Sequence, residues 1–326
     1  MKPKVAVSLG VEADNPGLFE EKLSDIADVF PSSLRIGEIS EDVKKSEAII
    51  LGLEQVNDSF LNEFPNLKII ARYGVGYDNV DVEACTRRGI YVTHTPNILS
   101  HAVAELTVGL MLCLSRKLVQ ADKYVRTEWA KTKKNIKLPK GIDLYGKVLG
   151  IIGFGRIGYQ VAVRAKSFGM KMMYYDVERK MDAEKTLGIQ YVNLETLLRE
   201  ADFVSLHVPL TPKTRGLIGE RELKLMKPTA YLINTSRGPV VDEKALVRAL
   251  REKWIAGAGL DVFAKEPLPL DSPLIDLENV ILTPHMGTYT DETRRAMALM
   301  CIENVRAALK GETPPNLVPE QKEKKI

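Results

Sequence analysis

The run Lys147-Val148-Leu149-Gly150-Ile151-Ile152-Gly153-Phe154-Gly155-Arg156-Ile157-Gly158 carries an apolar strand straight into G-x-G-x-x-G, and a helical pattern, Tyr159 to Phe168, leaves it. Few folds accept such a junction. Gly153 permits the tight turn, Gly155 lets the backbone approach a pyrophosphate, and Gly158 lets the helix sit close to the strand. The helix N-terminus offers unpaired N–H groups and the positive end of the helix dipole to phosphates, and Arg156 and Ile157 of the fingerprint are cofactor-binding candidates with the glycines. A lone glycine fingerprint is weak evidence. Here a second apolar run, Met170 to Tyr175, ends in Asp176, eighteen residues past Gly158. A carboxylate at that position accepts from the adenosine ribose hydroxyls and repels a 2′-phosphate. The pattern predicts a dinucleotide site taking NAD(H), with NADP(H) disfavoured; Arg179 tempers that preference without reversing it. The alternative is a structural β-turn-α in some other doubly wound protein.

A chain of 326 residues suits two domains of ordinary size, each with an ample core. The balance of 45% hydrophobic and 27% charged residues is that of a globular protein. A net charge of +3 gives no ground for a nucleic-acid or anionic-membrane partner. Cys85, Cys113 and Cys301 are far apart, with neither metal-ligand spacing nor a disulfide framework, so no metal is expected and a reducing cytoplasm is. The N-terminus enters a strand at once, without the apolar region of a signal peptide. The apolar stretch Ala102 to Leu114 contains Glu105, is too short to span a bilayer, and reads as a buried helix.

Strand-like and helix-like segments alternate, which points to parallel sheet covered by helices on both faces. In the first hundred residues the expected strands are Val5–Leu9, Ala48–Leu51, Lys68–Ala71 and Gly89–Thr93, with amphipathic stretches Leu18–Val29 and Val80–Arg88 between them. Thr95-Pro96-Asn97 breaks the pattern before a long helix near Ser100. Beyond the fingerprint, strands are expected at Phe203–Val208, Ala230–Asn234, Ala258–Asp261 and Val280–Thr283. Helices are expected at Asn193–Glu200, Arg221–Met226, Glu243–Arg251 and Thr290–Lys310. The terminal Gln321-Lys322-Glu323-Lys324-Lys325 reads as a frayed, solvated end. The class is α/β in two Rossmann-like domains. Residues 1–99 form one, completed by a returning C-terminal helix within 291–326, and residues 100–290 form the nucleotide domain.

Five motifs in order resemble the D-isomer-specific 2-hydroxyacid dehydrogenases over nearly the whole chain. Gly74-Val75-Gly76-Tyr77-Asp78-Asn79-Val80-Asp81 is similar to that family's substrate loop, and Leu149 to Gly158 with Asp176 to its NAD fingerprint. Asn234-Thr235-Ser236-Arg237-Gly238-Pro239, Gly259-Leu260-Asp261-Val262-Phe263-Ala264-Lys265-Glu266-Pro267 and Thr283-Pro284-His285-Met286-Gly287-Thr288 resemble its arginine, glutamate and histidine motifs. The resemblance implies a flavodoxin-like substrate domain beside a doubly wound NAD-binding domain.

Reducing a 2-keto acid needs a carboxylate clamp, a proton for the developing alkoxide and a nearby hydride source. Arg237 suits the clamp, because a planar guanidinium holds carboxylate and carbonyl oxygens through parallel hydrogen bonds and stabilises charge on the carbonyl oxygen. His285 suits the proton donor, and Glu266 would orient its ring through the other nitrogen. By resemblance the backbone N–H groups of Val75 and Gly76 complete the carboxylate site. The resemblance also places His207, Val208, Pro209, Thr235, Ser236, Asp261, His285 and Gly287 along the cofactor, with Asp261 accepting from the nicotinamide carboxamide. For His207 a packed structural role is the equal alternative. His94 and His101 flank the passage between domains, and His101 is a lesser candidate for facing substrate.

Val125-Arg126-Thr127-Glu128-Trp129 resembles an arginine–tryptophan element of glyoxylate and hydroxypyruvate reductases. In some relatives that tryptophan reaches a neighbouring subunit, which implies a homodimer; core packing is the alternative. Tyr289 departs from the family's usual small residue after the histidine motif and is expected to narrow the cleft. Glyoxylate or hydroxypyruvate is the expected substrate, reduced to the D-2-hydroxy acid. A D-3-phosphoglycerate dehydrogenase shares every catalytic motif and is the enzymatic alternative. A corepressor-like, NAD-sensing binding platform is the alternative of another class, disfavoured because little chain lies outside the globular pattern.

Overall fold

The computed structural model describes residues 2–131 and 136–322; Glu323, Lys324 and Lys325 of the expected frayed end lie outside the described residues. Two compact units divide the chain, one built from residues up to Leu99 together with those from Thr288 onward, the other from Ser100–Gly287.

The first unit carries a five-stranded sheet: β1 (Lys4–Ser8), β2 (Asp28–Ser32), β3 (Ala48–Leu51), β4 (Ile69–Arg72) and β5 (Tyr91–Thr93). All pairings are parallel, in the order β2-β1-β3-β4-β5, with Val5 opposite Ala48 and Ile49 opposite Ile70. The runs Ala48-Ile49-Ile50-Leu51 and Ile69-Ile70-Ala71 are buried throughout, as strands covered on both faces must be. The strand β2 corrects the sequence reading, which assigned Leu18–Val29 to one helix. The helix stops at Leu23, and Asp28–Ser32 pairs with β1 at the sheet edge. Pro31 obscures this strand in the sequence, yet an edge strand has one side without a ladder and tolerates it.

The opposite edge is closed from the far end of the chain. The side chain of Gln321 accepts from Val92 N (2.7 Å) and donates to Ile90 O (2.9 Å), while Val318 N donates to Val92 O (3.0 Å). Gln321 is 1% exposed, so the solvated end expected there is corrected at this residue. Its polarity is matched to the unpaired edge of β5 rather than to water. The helix Asp291–Leu309 adds Met297, Ala298, Cys301 and Val305 to the same unit's buried interior.

The second unit carries β6 (Val148–Ile152), β7 (Lys171–Tyr175), β8 (Gln190–Tyr191), β9 (Phe203–Leu206), β10 (Tyr231–Asn234), β11 (Gly257–Leu260) and β12 (Val280–Leu282). Their order, β12-β11-β10-β9-β6-β7-β8, is parallel throughout and is the doubly wound Rossmann arrangement with one extra strand. Strand order reverses between β6 and β9, the switch point at which such sheets bind ligands. One face of the sheet buries Leu197, Leu206, Leu232 and Leu250; the other buries Leu110, Met111, Ile151 and Val161. The short edge strand β8 lacks an apolar run, which is why the sequence reading passed over it.

Replacing Gln321 with Ala strands the N–H of Val92 and the C=O of Ile90. The expected outcome is a loss of about 1–3 kcal/mol in urea unfolding, because buried groups lose their partners; an unchanged midpoint would refute the edge-closing role.

Candidate active site

The loop after β6 shows why glycine is required there. Gly153 has φ of +89°, and a side chain on it would lie 2.7 Å from the carbonyl carbon of His207 and 2.8 Å from Val208 Cγ1. A Cβ on Gly158 would meet the Gly153 carbonyl oxygen, whereas Gly155 faces open space. The helix Arg156–Ser167 starts immediately, and Gly155 gives it no side-chain cap. The N–H groups of Arg156, Ile157 and Gly158 therefore precede the first intrahelical bond, Tyr159 N to Gly155 O at 2.9 Å, and are placed for an anion.

Asp176, just past β7, ties this loop to the second strand. Its Oδ2 accepts from Phe154 N at 2.6 Å and its Oδ1 from Glu178 N at 3.2 Å. Each oxygen keeps accepting capacity for a ribose hydroxyl. Beside the loop, His207 shares a 2.8 Å hydrogen bond between its Nε2 and Ser205 Oγ, while Nδ1 is shut off from solvent without a partner. Val208 packs under Gly153, and Pro209 is exposed. The open glycine, the uncapped helix start and Asp176 together fit a dinucleotide.

At the end of β10 the Asn234 side chain builds a turn. Its Oδ1 accepts from Ser236 N (3.0 Å) and Ser236 Oγ (2.8 Å), and its Nδ2 donates to Arg237 O (2.9 Å). Sequence reasoning passed over Asn234, although Asn ahead of Ser is a local turn signal. Thr107 Oγ1 donates to Val103 O at 2.8 Å, so the 2.9 Å contact with Thr235 makes the Thr235 hydroxyl the donor. That hydroxyl is turned inward, toward packing. The Arg237 guanidinium donates to Ser236 O at 2.8 Å. A Cβ on Gly238 would collide with the Phe263 carbonyl, so glycine is what lets the arginine turn lie against the segment carrying Glu266.

Glu266 joins two loops. Its Oε1 accepts from Phe263 N at 3.0 Å, and His285 Nδ1 donates to its Oε2 at 2.6 Å. Burial raises the carboxyl, but the hydrogen bond and charge of His285, helped by Phe263 N–H and the charge of Arg237, outweigh it and leave Glu266 below its ordinary value. Because Nδ1 faces the carboxylate, Nε2 is the nitrogen left for proton transfer.

His285 adopts a left-handed backbone, φ +51°. That conformation is uncommon for a residue with a Cβ and persists when neighbours over-determine it. Here Asp261 does so: its backbone O accepts from His285 N (2.8 Å), its Oδ1 from Thr283 Oγ1 (2.6 Å) and Met286 N (2.9 Å), and its Oδ2 from Gly287 N (2.9 Å). Burial pushes the Asp261 carboxyl above its ordinary value, more than these bonds and the charge of His285 bring it down. At 1% exposed, Asp261 holds the histidine loop through both carboxylate oxygens.

In the first unit, Val75 and Gly76 follow β4. The His94 ring donates from Nδ1 to Val75 O at 3.0 Å, and Thr95 N donates to Gly74 O at 2.9 Å. Beneath them the buried Arg72 donates to Asn79 Oδ1 at 3.2 Å, and Asn79 Nδ2 donates to Glu54 O at 2.6 Å. Among the described residues no acceptor takes the N–H of Val75 or Gly76. His94 is thus an anchor of the loop. His101 accepts from Arg164 at 3.2 Å on an exposed surface. Tyr289, 63% exposed, lies on the Arg294 guanidinium, which also faces the Tyr73 ring and pairs with Asp14 at 2.7 Å. Arg126 pairs with Asp122 at 2.8 Å, and Trp129 is 44% exposed, which overturns core packing for it.

Residues 108–287 match the model of the D-isomer specific 2-hydroxyacid dehydrogenase NAD binding domain. A glyoxylate reductase of Korarchaeum cryptofilum is 49% identical over 321 residues, 98% of this chain and 96% of that protein. The chain belongs to the D-isomer specific 2-hydroxyacid dehydrogenase family. It is an oxidoreductase whose second unit is a nicotinamide-dinucleotide domain. Two solved structures share the fold. An NADPH-dependent glyoxylate/hydroxypyruvate reductase from Sinorhizobium meliloti, in complex with NADP and malonate, has a TM-score of 0.88 at 31% identity and 98% coverage of each chain. A D-lactate dehydrogenase from Aquifex aeolicus, complexed with NAD and lactic acid, has a TM-score of 0.86 at 33% identity, covering 96% of this chain and 98% of that one.

Burial pushes the His207 imidazole down to about 3. This folded value lies below the ordinary 6.5, so the stability it contributes is complete above 6.5 and is lost as pH falls toward 3. The NMR shifts of its ring protons are expected to stay flat between about pH 5 and about pH 8; a midpoint inside that range would show a solvated ring.

Proposed function

We propose that this enzyme reduces a small 2-keto acid, glyoxylate or hydroxypyruvate, to the D-2-hydroxy acid with NADH. The observation that carries the reading is the His285–Glu266 pair at 2.6 Å, held within reach of the charge of Arg237. The glyoxylate reductase at 49% identity over nearly the whole chain supports the substrate.

Arg237 takes the substrate carboxylate and carbonyl oxygen through its guanidinium fork, and the free N–H groups of Val75 and Gly76 supply further carboxylate donors. NADH, held in the second unit, would supply the hydride that reduces the keto carbon. His285 delivers a proton from Nε2 to the carbonyl oxygen, so that hydride and proton together make the hydroxy acid. Glu266 fixes the ring and neutralises the imidazolium before transfer. Gly153, Gly155, Arg156, Ile157 and Gly158 cradle the pyrophosphate, and Asp176 takes the adenosine ribose, favouring NAD over NADP. His207, Val208, Pro209, Ser236, the Thr235 backbone and Gly287 flank the cofactor. The first unit serves as the substrate domain.

A homodimer is supported by the exposed apolar side chains Leu118, Val119, Val125 and Trp129 on one stretch of chain. Among the described residues no helix is long and apolar enough to cross a membrane, and all three cysteines are free, which supports a cytoplasmic setting.

Parallel assays of NADH oxidation with glyoxylate, hydroxypyruvate and phosphohydroxypyruvate test the reading. The expected result is a higher kcat/KM for one of the unphosphorylated acids. Preference for the phosphorylated acid would make the enzyme a phosphoglycerate dehydrogenase, and NADH binding without turnover would favour a binding platform. His285→Ala is expected to lower kcat by roughly 10²–10⁴-fold, and Arg237→Ala to weaken both kcat and substrate KM; wild-type kcat/KM in either variant would overturn its role. Ultracentrifugation is expected to give twice the chain mass, and Trp129→Glu to shift it toward the monomer.

A further inference from the structure

Arg179 stands three residues beyond Asp176, where a cation would receive the 2′-phosphate of NADP. The structure shows that this cation is already engaged. Its Nε donates to Glu184 Oε1 at 2.9 Å and its Nη2 to Glu184 Oε2 at 2.8 Å, a two-point pair. Its guanidinium carbon lies 5.7 Å from the centre of the Tyr191 ring. The pocket is itself braced: Tyr174 Oη donates to Glu184 Oε1 at 2.8 Å and accepts from Lys180 N at 2.6 Å. Tyr191 Oη donates to Asp176 O at 3.3 Å. The Glu184 side chain is 17% exposed, and the bonds from Arg179 and Tyr174 hold its carboxyl at about 2. Glu184 is therefore ionised wherever the enzyme works.

We infer that Glu184 determines cofactor specificity by pairing with Arg179 and withholding it from a 2′-phosphate beside Asp176; the other cation of the strand-end loop 176–180, Lys180, is paired with Glu178. The inference rests on the NAD-preferring reading above. With its Nε–Nη2 edge held by a carboxylate, the Arg179 guanidinium has its charge countered and its plane fixed, so a phosphate meets only the remaining Nη1 side of a cation that Glu184 already balances. Asp176 meanwhile repels that phosphate, so two carboxylates act on the same choice, one directly and one by occupying the competing base. Specificity then has a repulsive element and a sequestering one.

The test measures kcat/KM for NADH and NADPH, together with Kd for each by nicotinamide fluorescence in the absence of keto acid. Glu184→Gln keeps the shape of the side chain and removes its charge. The expected result is a fall of about tenfold in the NADH-to-NADPH preference, the worth of one charge-assisted contact, seen as a lower KM and Kd for NADPH. Adding Arg179→Ala to Glu184→Gln is expected to restore the parental ratio, whereas Arg179→Ala alone moves it less than about twofold. An unchanged ratio in Glu184→Gln, an equal loss of both cofactors, or no reversal in the double variant would each overturn the inference. A parent enzyme that already prefers NADPH would overturn the NAD reading and this inference together. A parent preferring NADH with an unresponsive Glu184→Gln would overturn the inference alone.

Discussion

Parallel pairing of seven strands in one fixed register is the constraint on which the rest of the second unit depends. In a parallel sheet every strand ends at the same edge. Six segments of chemical interest each leave such an end: Gly153 after β6, Asp176 after β7, His207 after β9, Arg237 after β10, Asp261 after β11 and His285 after β12. Residues more than a hundred positions apart are thereby gathered along one rim without any direct bond being needed to bring them there. A slip of one residue in any strand would exchange its two faces and take its loop out of line.

The second organising feature is how the rim controls its charges. Asp261 is withdrawn from water and Glu266 partly so, and burial alone would raise both carboxyls. They diverge because their partners differ. Glu266 faces a titratable ring and a nearby guanidinium, which hold it ionised, while Asp261 spends its oxygens on a hydroxyl and backbone amides. One carboxylate orients chemistry and the other holds the backbone that carries it. The left-handed conformation of His285 is maintained by that second group, so the orientation of the imidazole is set from both sides of the loop.

Much of this arrangement was legible in the sequence. Apolar runs such as Ala48–Leu51 and Ala230–Ile233 reveal buried strands, and the glycine fingerprint with Asp176 marks the dinucleotide unit. What was hidden depended on long-range pairing or on the geometry of individual bonds. The strand Asp28–Ser32 carries a proline that only an edge position accepts. Gln321 looks like part of a charged tail because its backbone partners, Ile90 and Val92, are more than two hundred residues away. The roles of Asn234 and Asp261 follow from where their side-chain oxygens point, which a motif does not convey. Arg179 was visible as a cation; that Glu184 engages it was not, since a five-residue separation across a loop and helix is no regular spacing.

The composite origin of the first unit sets an order on how the protein comes into being. Its five strands are complete by Thr93, yet the helix Asp291–Leu309 that fills its interior and the glutamine that closes its edge emerge only with the last part of the chain. The residues between, Ser100–Gly287, are a continuous unit. On the ribosome, therefore, the part made first is the part finished last: the nascent N-terminal sheet must wait, one face uncovered, while the nucleotide domain is synthesised and folds behind it. Such a chain places its longest-lived exposed apolar surface at its beginning, and that is where a chaperone binding during synthesis would find it.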